Sequence, residues 1–220
     1  MAIPAEPESL QPVEGGVLQV QGFPAPRIWL LNGDETELLQ LQRDTFACNW
    51  RQQLSNSPYP RYQHVRSGFE QAFREFTGFT EQSNLGRVAP LHCEVSYVNH
   101  IPSGQGWDRF GEIHKVLSSC AGWRSDAFLS EPEEVRYSAK FPIRDANGQF
   151  LGRLNVAAQP ALRRRDRQPL IVLTLTSRGR PIGTGMSGIL GFFDIGREWI
   201  VRAFADLTTD EMHRLWGRTA

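Results

Sequence analysis

The chain is short of several features that would assign a protein to a class at once. Its 220 residues carry 24 basic and 24 acidic side chains, so the formal net charge is zero and gives no overall attraction to a charged partner. No apolar run approaches the roughly 20 residues of a membrane-spanning helix. The first residues also lack the basic start and apolar stretch of a secretory signal. We therefore expect a cytoplasmic protein that makes no membrane contact.

Cysteine is scarce, and its spacing is unpaired. Cys48, Cys93 and Cys120 form no CxxC pair, which argues against a disulfide framework and favours reduced, packed thiols. The five histidines form neither HExxH nor HxH. His92, Cys93 and Glu94 follow one another on a predicted strand. Because neighbouring side chains on a strand point to opposite faces, they do not bind one metal ion together. We expect no metal ion and no cofactor.

The hydrophobic pattern predicts an α+β fold with mostly antiparallel strands. Residues 1–14, with three prolines and three glutamates, predict a flexible tail ahead of one domain over 15–220. Apolar residues at helical spacing predict a helix from Arg61 and a second helix that includes Phe110, Ile113 and Leu117. Strands with alternating or apolar patterns are predicted at 17–21, 27–31, 36–42, 45–51 and 90–99.

The second half predicts three antiparallel strands in a meander, followed by helices. Alternation over 135–143 leads to an Asn147-Gly148 turn, and a polar tip at 163–168 precedes a central strand at 170–176. A long helix follows, and a capping box from Thr208 to Glu211 predicts a short last helix. Because strands and helices do not alternate, we expect an antiparallel sheet with helices packed on one face.

Several short stretches resemble a known protein family. Over about Pro12 to Trp216 the chain is similar to a sporadically distributed bacterial family of conserved hypothetical proteins of about this length. The resemblance implies no established activity, and the patchy distribution is associated with mobile or defence-related genes. The stretches that carry it are Gln40-Leu41-Gln42, Asn49-Trp50-Arg51, Tyr59-Pro60 with Tyr62, Val95-Ser96-Tyr97-Val98-Asn99-His100, and Phe204-Ala205-Asp206-Leu207-Thr208-Thr209 with Trp216.

Polar residues at predicted strand ends form a candidate ligand site. A histidine beside an asparagine can act as a general base or a ligand clamp, which leaves an enzyme of unknown class using His100 as one alternative. In the other interpretation Asn99 bonds a loop and His100 caps its strand. The hypothesis is that five side chains converge at one sheet end, namely Asn49, Arg51, Tyr97, Asn99 and His100.

Residues 136–180 are markedly basic, with ten basic side chains and two acids, Asp145 and Asp166. On a neutral chain this local charge of +8 requires −8 elsewhere. Such a stripe can track a nucleic-acid backbone, cover a sheet edge, or face an acidic protein or a second copy. No stacking aromatics interleave the arginines on the polar face of the predicted strands, which argues against single-strand recognition. The candidate anion-binding residues at the predicted tip are Arg163, Arg164, Arg165 and Arg167.

The stretch Gly183–Gly188 matches G-x-G-x-x-G, but a dinucleotide fold needs a further strand with an acid, and helices follow here instead. Binding of some other anion at this helix start stays open. With no nucleophile elbow either, the sequence favours a non-enzymatic binding module for a protein partner or small ligand. The alternatives are an anion or nucleic-acid binder using 136–180 and the enzyme of unknown class using His100. A homodimer is a plausible form of the protein partner.

Overall fold

The computed structural model describes residues 26–52, 59–123 and 128–218. It is an α+β fold with antiparallel strands, as the sequence predicts, but the strands form two separate sheets where one was expected. Its contacts form two compact units, residues 1–69 and 70–220, which we describe in turn. The predicted tail and the strand at 17–21 lie outside the described residues, and the single domain over 15–220 stays a prediction. Among the described residues, no helix is both long and apolar enough to span a membrane.

The first unit contains a three-stranded antiparallel sheet in the order β1-β2-β3. Its strands are β1 (Ile28–Leu31), β2 (Glu37–Gln42) and β3 (Thr45–Trp50). The predicted hairpin between β2 and β3 is confirmed, with Gln42 opposite Thr45 at its closed end. The turn before β2 is held by Asn32, whose Oδ1 accepts the N–H groups of Thr36 (2.9 Å) and Glu37 (3.1 Å).

The predicted helix from Arg61 is confirmed as α1 (Arg61–Gln82), which begins in the first unit and continues into the second. Apolar side chains at helical spacing give it one less exposed side. The Phe69 ring lies edge-on to Phe46 of β3, with centroids 5.6 Å apart. One turn earlier, His64 Nε2 lies 2.7 Å from Glu37 Oε1 of β2. These contacts join the start of α1 to the three-stranded sheet.

The second unit is built on a four-stranded antiparallel sheet in the order β4-β7-β6-β5. The predicted meander is confirmed as its last three strands. The fourth strand begins three residues later than predicted and pairs with β7 from Cys93 opposite Gly179 to Pro102 opposite Leu170. The strands are β4 (Cys93–Pro102), β5 (Tyr137–Arg144), β6 (Phe150–Leu162) and β7 (Pro169–Gly179).

The long and short final helices are confirmed as α2 (Gly185–Leu207) and α3 (Asp210–Leu215). The first of them packs on β4, β6 and β7 and covers one face of the sheet, which we call the inner face. Strand alternation places Leu154, Leu173 and Leu175 on this face at no more than 1% exposure. They share one core cluster with Ile200 of α2.

Two local predictions were wrong. The second helix is a 3-10 helix, Phe110–Lys115, with non-helical backbone angles at Glu112. Phe110 and Ile113 are three residues apart, a spacing that fits either kind of helix. The N-cap of α3 is Thr209, whose Oγ1 accepts the N–H of Met212 at 3.3 Å. Thr208 instead ends α2, and its hydroxyl donates back to the Phe204 carbonyl at 2.6 Å.

Candidate functional site

The five polar residues predicted to converge lie on two different sheets. Asn49 is in β3 and Arg51 follows it directly, whereas Tyr97, Asn99 and His100 are in β4. Arg51 donates from Nε to the Glu35 carbonyl (3.0 Å) and from Nη2 to its carboxylate (3.4 Å). The guanidinium thereby fastens the β1–β2 turn to the end of β3. That all five contact one ligand stays a prediction.

The strand itself separates Asn99 from His100. Asn99 lies on the inner side of β4, where its Nδ2 donates to the carbonyl of Leu173 across the ladder at 3.3 Å. His100 is exposed on the opposite side. Because neighbours on a strand point to opposite faces, the two side chains do not meet on one substrate atom. The structure therefore does not support the interpretation in which Asn99 and His100 act together as a general base and a ligand clamp.

The Gly183–Gly188 stretch closes a compact loop on itself. The N–H of Ile182 donates to the Gly188 carbonyl at 2.8 Å. A Cβ on Gly188 would lie 2.7 Å from the backbone of Gly183, so only glycine fits there. Gly183 also has φ of +91°, in the region that favours glycine. The glycine spacing is therefore explained by loop packing ahead of α2.

The thiols and acids offer little to catalysis or to metal binding. Burial raises the pKa of Cys48 to about 11, and the nearby Glu37 carboxylate adds to this effect. Burial also raises the pKa of Cys93 to about 11. The pKa of Cys120 is raised for the same reason. The thiolate, which is the nucleophile, is thus disfavoured. In the described ranges no three His, Cys, Asp or Glu side chains are grouped closely enough to hold a metal ion.

A surface cleft of about 640 Å³ lies beside the 3-10 helix. Its charged wall is already paired internally, because Arg109 bonds Glu131 at 2.7 Å and Glu112 at 3.2 Å. The arrangement supports the structure more directly than it supports a ligand. The residues that line the cleft are Asp108, Arg109, Phe110, Ser130, Glu131, Pro132, Glu133 and Pro169.

The side of the four-stranded sheet opposite α2 carries the lysine and arginine residues of its strands. Arg153 of β6 and Arg178 of β7 are directly opposite each other in the ladder, and both are exposed. Glu94 of β4 is the other neighbour of Arg178. We call this surface the outer basic face, which comprises Arg136, Lys140, Arg144, Arg153 and Arg178.

The contacts of these five residues differ. Lys140 and Arg178 form no ion pair with the described residues, whereas Arg136 lies 3.2 Å from Glu134. Arg144 donates to the Gly148 carbonyl at 2.8 Å. The guanidinium of Arg153 lies 5.0 Å from the centroid of the Phe150 ring. At least two cations on this face are therefore available to a partner.

The predicted anion-binding tip is partly neutralised from within. Arg163 holds Asp166 with two hydrogen bonds, 2.8 Å from Nε and 2.5 Å from Nη2, and it also donates to Gln168. This pairing holds the pKa of the Asp166 carboxyl well below its usual range. Arg164, Arg165 and Arg167 are exposed, although Arg165 lies 3.7 Å from Asp166. The tip is at the far end of β6 from Arg153.

The pairing of Arg153 with Arg178 is the main feature that the sequence interpretation missed. The signal was present in the predicted tip: if residues 163–168 form the loop, Leu162 and Pro169 close the hairpin. Nine residues before Leu162 is Arg153, and nine residues after Pro169 is Arg178. An antiparallel hairpin without a bulge therefore pairs Arg153 with Arg178, as observed.

Comparison of the chain with models of protein families, with curated proteins and with solved structures gives no match. The similarity to the sporadic bacterial family therefore depends on the quoted sequence stretches alone and stays a prediction.

Proposed function

We propose that the chain is a non-enzymatic binding module that recognises an anionic partner with the outer basic face. The observation that carries this proposal is the side-by-side placement of Arg153 and Arg178 on two central strands. Like charges directly opposite each other destabilise a sheet. Cations on the edge strand β5 are explained by protection against edge pairing, but β6 and β7 have neighbours on both sides. Glu94 on β4 is opposite Arg178 and offsets part of its charge. Arg153 has Pro142 and not an acid opposite it on β5, so the row keeps a net positive charge that a binding role explains.

The interior supports recognition at the surface. The space between the inner face and α2 is occupied by core side chains, and Val156, Leu173 and Phe192 are at most 1% exposed. A small ligand enclosed between sheet and helix finds no support in this packing. An enzyme using His100 is also unsupported, because Asn99 lies on the opposite side of the strand.

The partner, the location and the family are parts of the same proposal. An acidic protein, the negatively charged remainder of a second copy, and a nucleic acid all supply the required charge. A cytoplasmic location is supported by the three cysteines, none of which is in a disulfide. Membership of the sporadic bacterial family is supported by the sequence stretches quoted above.

Retention on immobilised heparin tests the proposal. Because the net charge of the chain is zero, retention at roughly 50 mM salt requires a local cationic surface. We expect the wild-type protein to be retained and the double variant Arg153→Gln, Arg178→Gln to elute at clearly lower salt. The matched control, Arg202→Gln with Arg214→Gln, removes the same charge from the helices and should elute with wild type. A wild-type protein that flows through unretained would contradict the proposal.

A further inference from the structure

We propose that the outer basic face binds the phosphate backbone of double-stranded nucleic acid. This inference rests on the proposed function, since it names the class of anionic partner. It is drawn from the side chains that surround Arg153 and Arg178, and from what this surface lacks.

Hydrogen-bond donors continue the face beyond the two arginines. Two residues further along each ladder, Ser96, Thr176, Asn155 and Lys140 form one row across all four strands. Hydroxyl, amide and ammonium groups of this kind, together with arginine, make most phosphate contacts in nucleic-acid complexes. The arginine row runs Glu94, Arg178, Arg153, Pro142, and it lies beside a row of donors that ends in Lys140. Three cations and three neutral donors side by side are suited to phosphate oxygens, with Glu94 at the β4 margin.

The donors in this row keep hydrogens available. Ser96 Oγ and Thr176 Oγ1 lie 2.7 Å apart, and since one of them donates to the other, one hydroxyl hydrogen remains. Asn155 uses one amide hydrogen on the Thr176 carbonyl at 3.4 Å and keeps the second. Both spare donors lie on the exposed side of the sheet, in the same row as Lys140 and next to the arginine pair.

Among the described residues, the outer basic face has no apolar centre of the kind found in protein-binding sites. Protein interfaces are enriched in aromatic residues, and a few buried aromatic or arginine side chains carry most of the affinity. The outward positions nearest the arginines on β4, β6 and β7 hold Val98, Ala157 and Val172 as their apolar members. These small side chains offer little area to bury. Further apolar residues at the far end of these strands, Pro102, Ala161 and Leu170, are partly or fully buried. The observations therefore favour nucleic acid over an acidic protein.

The same composition favours a duplex over a single strand. Proteins that bind single strands stack bases on aromatic rings. At the margin of the face, Phe150 is 46% exposed, but the Arg153 guanidinium already lies against its ring. The cations are also spread along the sheet, since Lys140 and Arg144 are four residues apart on one strand, about 13 Å. Contact with successive phosphates of a duplex, without reading the bases, fits this layout.

Fluorescence anisotropy with labelled duplexes tests the inference. The full chain is titrated into random-sequence duplex DNA, and separately duplex RNA, of about 20 base pairs at several salt concentrations. We expect log K to fall linearly with log salt. Arg153→Gln with Arg178→Gln should lower the slope by about 2, since each lost phosphate contact removes about 0.9. Arg202→Gln with Arg214→Gln should leave it unchanged.

The outcomes separate this inference from the proposed function. Binding of either duplex with the expected change of slope supports it, and the arm that binds identifies DNA or RNA as the source. Retention on heparin without binding to either duplex overturns it and leaves the proposed function standing. Binding of polyglutamate without binding of either duplex also overturns the inference, and it would indicate an acidic protein as the partner. An unchanged slope in the Arg153, Arg178 variant also overturns it, because the contacts would then lie elsewhere.

Discussion

At the scale of single residues, the carboxylate of Glu112 organises its whole neighbourhood. It is buried, and its oxygens accept the N–H groups of Asp108 (2.8 Å) and Arg109 (3.1 Å) and the ammonium of Lys115 (2.9 Å). The Asp108 N–H, followed by Lys115, lowers the pKa of Glu112 to about 2. A buried charge with this many donors is a structural anchor for the 3-10 helix.

The Glu112 carboxylate should make folding stability depend on acid pH. Its folded pKa of about 2 lies below the unfolded value of about 4.3, so its stabilisation is complete above about pH 4.3 and is lost as the pH falls toward 2. We expect Glu112→Gln to lower the free energy of unfolding at pH 7 by about 1–3 kcal/mol. Urea unfolding from neutral to acid pH should show a flatter profile in this variant. Exposed Glu81→Gln on α1 is the control, and parallel profiles for Glu112→Gln and wild type would refute the assignment.

At the scale of elements, the approach of α2 to β7 depends on two small residues. Ser177 is fully buried, and its Oγ donates to the Gly196 carbonyl at 2.9 Å. A Cβ on Gly196 would lie 3.1 Å from the Cβ of Ser177, which is tighter than ordinary van der Waals contact. The helix and the strand are therefore closer together than larger side chains would permit.

Two glycine-to-alanine changes in α2 should have opposite effects. Gly196→Ala pushes the helix away from Ser177, and overpacking of this kind costs about 1–3 kcal/mol. At Gly191 the nearest atom to an added Cβ is 4.0 Å away. Gly191→Ala should therefore stabilise by about 0.5–1 kcal/mol through better helix propensity. Chemical denaturation of both variants measures the difference; equal stabilities would show that the contact at Gly196 relaxes freely.

The sequence predicts local elements well and long-range pairing poorly, for a physical reason. The alternation at 135–143 and the Asn147-Gly148 turn are short-range signals, and both lead directly to β5 and β6. The pairing of β4 with β7 joins residues about 70 or more apart, and no local pattern encodes it. The candidate site depends on such register, since Arg153 and Arg178 are ordinary exposed arginines until the hairpin places them together. The 3-10 helix was missed because Phe110 and Ile113, three residues apart, fit the spacing of an α-helix and of a 3-10 helix equally well.

At the scale of the whole molecule, charge is separated although the total is zero. The segment 136–180 carries +8, from ten basic and two acidic side chains, and the rest of the chain carries −8. The sheet register then concentrates part of this positive charge on one exposed face. A neutral protein can thus attract a polyanion locally, while its acidic remainder limits non-specific adhesion. Binding should accordingly depend strongly on salt.

The arginine pair should show a trade between stability and binding. In a double-mutant cycle of Arg153→Gln and Arg178→Gln, we expect an unfavourable coupling of about 0.2–1 kcal/mol at low salt, because two like charges are opposite each other in the ladder. Screening in about 1 M salt should remove it, since the Debye length falls to about 3 Å. Urea unfolding of wild type, both single variants and the double variant measures the coupling. A favourable or salt-independent coupling would mean that the pair contributes to packing, for instance through Phe150. A binding role requires two results together. The coupling between Arg153 and Arg178 should be unfavourable for stability, and the double variant should be retained more weakly on heparin. The fold would then tolerate a destabilising pair because its removal weakens binding.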